Sequence, residues 1–254
     1  MFRLPNIEGD LPQHKHIVYF SCDDIYYQNY GLALIKSILN QIPWITIHCH
    51  LLLKNDVSLY KHKRISYTFE RITESFIKNI PEGKIVKNGQ KKDKLTVYYS
   101  CARFLQIHKL FKPHQHVLQI DCDSLLFKEF NQEAFQSITH TVKCMRKPKR
   151  PEIIIASALS LGTGEKGQSF REQLSDKLYK KISEYGAYWF VDQDVLQDIF
   201  NNSNYTDMPL LWNTWSFKKK DAYFRTGKGN KKESNLFQIE LEKWKGTTYG
   251  KKLP

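Results

Sequence analysis

The chain has 254 residues with 41% hydrophobic content, enough for one large α/β core, and no run nears the roughly eighteen apolar residues that a membrane span needs. Five cysteines form no Cys-x-x-Cys pair, which excludes a zinc ribbon and a disulfide framework and favours a reducing, cytoplasmic setting. The formal charge of +13 predicts anionic partners without choosing among nucleic acid, an acidic membrane face and phosphorylated small molecules. The first ten residues hold no signal-peptide core, so a soluble, unprocessed chain is expected.

His16 to Phe20 reads as the first strand, followed by a polar turn with Asp23, Asp24, Tyr26 and Tyr27. A helix carrying Leu32, Ile35, Ile38 and Leu39 comes next and ends over 40–43. Alternation of Ile45, Ile47, Cys49 and Leu51 with polar residues marks a second strand, and strand, helix, strand make a right-handed βαβ unit. Asp23 and Asp24 then lie at a strand's carboxyl end, where a carboxylate can bind a base or ribose and a tyrosine ring can stack. The competing reading has Asp24 capping the helix while the tyrosines pack.

Ile65 to Phe69 is a further strand, and Lys84 to Lys94 a lysine-rich loop. Thr96 to Phe111 has the period of an amphipathic helix, with Arg103 off its apolar stripe. Val117 to Ile120 is a buried strand that stops at Asp121 and Asp123. Residues two apart on an extended chain point the same way, so both carboxylates can approach one hard divalent cation that also holds substrate phosphates.

After a basic link over 143–150, residues 153–159 read as β and 169–184 as helix. Asp192, Gln193 and Asp194 interrupt an apolar segment, and polar groups there need partners or a substrate. Residues 209–215 form an aromatic segment, and 217–254 hold eleven Lys or Arg against four Asp or Glu, a net of +7. In that tail a glycine-flanked Lys228 can close over a diphosphate.

The order of these motifs resembles the metal-dependent glycosyltransferases of the GT-A fold, most closely the retaining glycogenin and lipooligosaccharide galactosyltransferase group (glycosyltransferase family 8). The stretches that carry it are 17–26, 101–104, 118–123 and 191–196, with 211–213 weaker. The resemblance implies an α/β, Rossmann-like fold with a mainly parallel central sheet flanked by helices. It implies a single domain over 1–254, with a nucleotide-sugar half over about 16–127, an acceptor half over about 128–216 and a basic C-terminal tail over 217–254.

The implied activity is transfer of a hexose from a UDP-sugar, with Mn2+ or Mg2+ and with retention, to a saccharide, lipid or protein acceptor. Ser21, Asp23, Tyr26, Arg103, Asp121 and Lys228 would bind the donor, Asp121 and Asp123 the metal, and Asp192 and Gln193 would lie at the bond being broken. Two positions depart from the family. Its third metal ligand, a histidine before a Thr-Gly pair, is absent from 223–225, and no histidine follows His140. Water, substrate or Asp221 would complete the coordination, or Arg225 would carry part of the charge. Ala156-Ser157-Ala158 stands where the family has Asn-(Ser or Ala)-Gly, which leaves the donor sugar open.

Two other readings use the same residues. Asp121-Cys122-Asp123-Ser124 resembles the nucleophile loop of haloacid-dehalogenase phosphatases, with Asp121 attacking phosphorus. The 143–150 cluster and the tail would instead let a non-catalytic protein bind nucleic acid, although no recognised nucleic-acid module is present. The tail would equally contact an anionic surface or acceptor.

Overall fold

In a computed structural model of the chain, residues 2–86, 89, 91–147, 149–216, 221–227 and 229–246 are described. A short strand β1 (Glu8–Gly9) precedes β2 (His16–Asp23), a small helix α1 (Asp24–Tyr26), a π-helical turn over Tyr27–Gly31 and helix α2 (Leu32–Gln41). Then come β3 (Thr46–Leu53), β4 (Ile65–Arg71), α3 (Glu74–Asn79), α4 (Lys94–Leu105), α5 (Ile107–Leu110), β5 (His116–Ile120), β6 (Ser124–Leu126) and α6 (Gln132–Thr139). The remainder is β7 (Val142–Lys147), β8 (Arg150–Leu161), α7 (Gly164–Tyr185), α8 (Val191–Asn201), β9 (Thr206–Asp207), β10 (Asn213–Thr214), β11 (Phe224–Thr226), a 3-10 turn over Gly229–Glu233 and α9 (Asn235–Gly246).

Eight strands form one sheet in the order β1-β4-β3-β2-β5-β8-β7-β9. The run β4-β3-β2-β5 is parallel, and the sheet turns antiparallel where β8 meets β5 and β7. Helices cover both faces of the parallel part, so its strands read as continuous apolar runs. Along β2, Ile17 and Tyr19 pack with residues of α4, α7 and α8, whereas Val18, Phe20 and Cys22 pack with α2 and α6. β5 repeats the pattern: Val117 faces the first layer, and Leu118 and Ile120 face the second. By this period of two, Asp121 leaves the strand towards α4 and α8.

Four expected assignments shift. The helix expected over 96–111 breaks at Gln106 (φ −124°, ψ 18°), whose buried amide donates to Pro5 O at 2.9 Å and to Glu70 Oε1 at 2.7 Å. The basic link over 143–150 is not a linker, because Val142, Cys144 and Met145 are buried and make β7 the partner of β8. The helix expected from Ser169 starts at Gly164. The segment expected as a basic tail contributes β11, which pairs with β6, and α9, whose Phe237, Leu241 and Trp244 pack on Ala33 and Leu125.

Candidate active site

The chain reverses directly after β5, so Asp121 and Asp123 sit at the carboxyl end of the parallel strands, where open α/β sheets bind ligands. A ring of buried hydrogen bonds fixes this turn. Asp121 N donates to Ser157 O (3.0 Å), and Asn213 Nδ2 donates to the same carbonyl (3.2 Å). Asn213 Oδ1 accepts from the Thr226 hydroxyl (2.9 Å), which is bonded to Ser124 Oγ (2.7 Å). Gly227 N closes the ring on Asp123 O at 2.9 Å. Three separate stretches of chain thus hold one loop, and every polar group in the ring has a partner.

Arg103 joins the first carboxylate to the far side of the site. Its guanidinium donates from Nη1 to Asp121 Oδ1 and from Nη2 to Asp192 Oδ2, the latter at 2.9 Å. Burial works against its charge, but Asp121 and Asp192 outweigh that and hold its pKa above the usual arginine value. Asp192 is 4% exposed, and its other oxygen accepts from Gln193 N at 2.9 Å. Gln193 lies beside it in the first turn of α8. Phe190 enters that helix with φ +73°, a left-handed conformation unusual for a bulky side chain.

Asp123 pairs with Lys232, Nζ to Oδ2 at 2.7 Å. Burial, and then the Asp121 charge, push the Asp123 carboxyl up to about 6, while the Lys232 ammonium pulls the other way. Lys232 Nζ also lies 3.0 Å from the Tyr26 hydroxyl and 4.5 Å from the centre of its ring. Asp23 Oδ1 accepts from Tyr26 N at 2.7 Å and so caps α1, and burial raises its pKa above the ordinary carboxylate range. Asp24, the residue expected as a possible cap, instead binds Asn55 through its backbone N (3.1 Å) and side-chain Nδ2 (2.9 Å).

Six of the expected residues therefore meet at one end of the sheet: Asp23, Tyr26, Arg103, Asp121, Asp123 and Asp192, with Gln193 adjoining. Ser21 stands two residues before Asp23 on β2, on the same side of the strand. Lys228 lies outside the described residues. Arg225 lies over Phe127, its guanidinium 3.9 Å from the centre of that ring. Sequence reasoning missed Lys232, which stands in a run of lysines read as a tail, and the structural parts of Ser157 and Asn213.

No protein-family model matches the chain, and no curated protein does. Solved structures do. The bifunctional glycosyltransferase WbbM superposes with a TM-score of 0.59 at 17% identity over 92% of this chain, and the glycosyltransferase GlyE of Streptococcus pneumoniae with 0.61 at 14% identity over 92%. The galactosyltransferase LgtC, solved with donor and acceptor sugar analogues, gives 0.60 at 12% identity over 92% of this chain and 98% of its own. The chain has the GT-A fold. It spans 50% of WbbM and 62% of GlyE, so likeness to those proteins extends to a part of each.

Within this GT-A frame the donor set bears on the expected metal. Among the described residues no group of three His, Cys, Asp or Glu side chains could hold an ion. Two carboxylates suffice for a Mg2+-like ion that shares its coordination with a diphosphate and water. The cluster of Asp121, Asp123 and Asp192 against Arg103 and Lys232 is net negative, a balance that repels a diphosphate unless a further cation enters with it. The residues present therefore fit a cation delivered with its substrate. Among the described residues, no helix is long and apolar enough to cross a membrane.

Proposed function

We propose that the chain is a nucleotide-sugar-dependent glycosyltransferase that moves a hexose from a UDP-sugar to an acceptor with retention at the anomeric carbon. The observation that carries this is the Arg103 fork, which ties Asp121 to Asp192 from three separate elements at the carboxyl ends of the parallel strands. Asp23 and Tyr26 take the base, with Ser21 beside them, and Arg103 contacts the sugar or its phosphate. Asp192 and Gln193 face the reacting bond. Asp121 and Asp123 hold Mn2+ or Mg2+, which when bound offsets the charge of the departing diphosphate.

The chain's own residues supply orientation. Arg103 keeps both carboxylates aimed, and the ring of hydrogen bonds through Ser157, Asn213 and Thr226 stops the Asp121 turn from swinging. Five buried free cysteines suit a reducing, cytoplasmic setting. Lys243 and Lys245 of α9 extend the basic end that would meet an anionic acceptor or surface. Resemblance supports retention and UDP, and leaves the acceptor as saccharide, lipid or protein. The phosphatase reading needs Asp121 as a free nucleophile, yet its Oδ1 is bonded to Arg103.

The test is thermal unfolding with UDP, GDP or CDP, each with Mn2+, Mg2+ or chelator, followed by nucleoside diphosphate release from the matching sugar donors. A ligand at a hundredfold excess over its Kd stabilises by about 2.7 kcal/mol. UDP with metal is expected to give that shift, and Asp123→Asn to abolish it. Failure of every nucleotide under every metal would refute the reading.

A further inference from the structure

We propose that Lys232 is an internal placeholder for the donor: its ammonium occupies Asp123 and the ring of Tyr26 together, so metal and nucleotide base must each displace the same side chain. The proposal rests on the nucleotide-sugar reading above. It concerns what that reading leaves unexplained, a lysine seated on two of the donor's expected contacts.

The contacts are specific. Lys232 Nζ is 2.7 Å from Asp123 Oδ2 and 3.0 Å from the Tyr26 hydroxyl. It lies 4.5 Å above the Tyr26 ring and 5.0 Å above the Tyr30 ring, within range of cation–π attraction. The side chains of Lys232 and Asp123 are 18% and 13% exposed, so the pair is largely withdrawn from water, unlike the loose ion pairs of a protein surface.

The backbone brings Lys232 there for reasons readable in the chain. Thr226 pairs with Ser124 across β11 and β6, and Gly227 N bonds Asp123 O, so the C-terminal segment must cross the carboxylate turn. Gly227 permits the crossing, because a Cβ there would lie 2.7 Å from the Phe237 ring. Beyond it, the 3-10 turn aims Lys232 back at Asp123, and Gln238 Nε2 from α9 holds the Lys232 carbonyl.

Among the described residues, Lys232 is the cation seated on Asp123, while Arg225 lies over the Phe127 ring. A divalent ion that takes Asp123 must break the charge-assisted hydrogen bond to Lys232, and a base that stacks on Tyr26 must move the same ammonium from the ring. Once one ligand has expelled the lysine, the second no longer meets that cost. Metal and base affinities are thereby coupled through one side chain, in addition to any direct bond between metal and diphosphate.

Two measurements isolate the effect: Mn2+ binding without nucleotide, followed by electron paramagnetic resonance, and uridine binding without metal, followed by calorimetry. Uridine carries the base but no phosphate, so it cannot gain from direct metal coordination. Lys232→Ala is expected to tighten both by roughly tenfold or more, the worth of a hydrogen bond to a charged group. Lys232→Arg, which keeps the charge, is expected to leave both weak. Lys232→Gln carries the Mn2+ arm if thermal unfolding shows the alanine variant misfolded. Affinities unchanged in the uncharged variants, while UDP with Mn2+ still binds, would overturn the placeholder alone. If UDP with Mn2+ binds neither wild type nor variants, the nucleotide-sugar reading falls and the placeholder with it.

Discussion

Replacing Arg103 by methionine tests how the site is held together. The change keeps the side chain's length and removes its charge, which leaves two carboxylates without their shared partner. Asp192 suffers most: its side chain is 5% exposed and would keep the hydrogen bond from Gln193 N alone. Asp121, at 24% exposed, recovers part of its loss from water. Stranding one partner of a buried pair costs about 3–5 kcal/mol, and the exposure of Asp121 places this case near the lower end, at about 3–4 kcal/mol.

For a chain of this size each kcal/mol lowers the Tm by about 2–4 °C, so the expected fall is roughly 6–16 °C. Urea unfolding read by tryptophan fluorescence measures the free energy directly. The decisive comparison is the double variant Arg103→Met with Asp192→Asn. The amide needs no cation, so the second substitution should restore more than half of the loss, a coupling of about 2 kcal/mol. If the two effects simply add, to within about 0.5 kcal/mol, Arg103 and Asp192 do not act as a pair and the electrostatic account of the site is wrong.

Other outcomes follow from groups away from the fork. Burial, and then His50, hold the His48 pKa down at about 3, well below the 6.5 of an unfolded histidine. A depressed histidine contributes stability that is complete above 6.5 and lost as the pH falls towards 3, because the unfolded chain takes up the proton first. Near pH 5 the loss is about 2 kcal/mol, and His48→Asn should flatten the dependence of the urea midpoint on pH between about 5 and 7.5. Gly186→Ala should destabilise by at least about 1–3 kcal/mol in thermal unfolding, the cost of a backbone region reserved for glycine. Its φ is +77°, and a Cβ there would meet Glu82 O at 1.8 Å. Asp24→Ala removes the acceptor of the backbone N–H of Asn55, an exposed residue that can turn to water, so it should cost about 0.5–1.5 kcal/mol, seen as a lowered urea midpoint.

Much of the first half was legible because burial on both faces of a parallel sheet writes itself as largely apolar runs, as in 17–20 and 117–120, each followed within three residues by carboxylates. The parity that sends Asp121 towards α4 follows from the same runs. Other features depend on contacts that no local pattern records. Arg103 and Asp192 lie 89 positions apart, so the polar interruption at Asp192 signals that a partner or a substrate is needed without naming Arg103. The break at Gln106 arises because Glu70 and Pro5, both distant in the chain, attract its amide. β7 was hidden by its own lysines and arginine, whose charges suggest a loop while Cys144 and Met145 pack beneath them.

Lys232 shows the limit most clearly, because a lysine run is the ordinary signature of a solvated tail. Its role depends on Gly227 and α9 bending the segment back across β6, which is a tertiary event. Among the described residues, the site's two cations are therefore held differently. Arg103 is clamped by carboxylates from two elements and sits on a twelve-residue helix, so it belongs to the frame. Lys232 leans on one carboxylate and a partly exposed tyrosine from a five-residue turn, so it can leave. Substitutions should separate along that line: loss of Arg103 registers first in folding stability, and loss of Lys232 first in the affinity for cation and base.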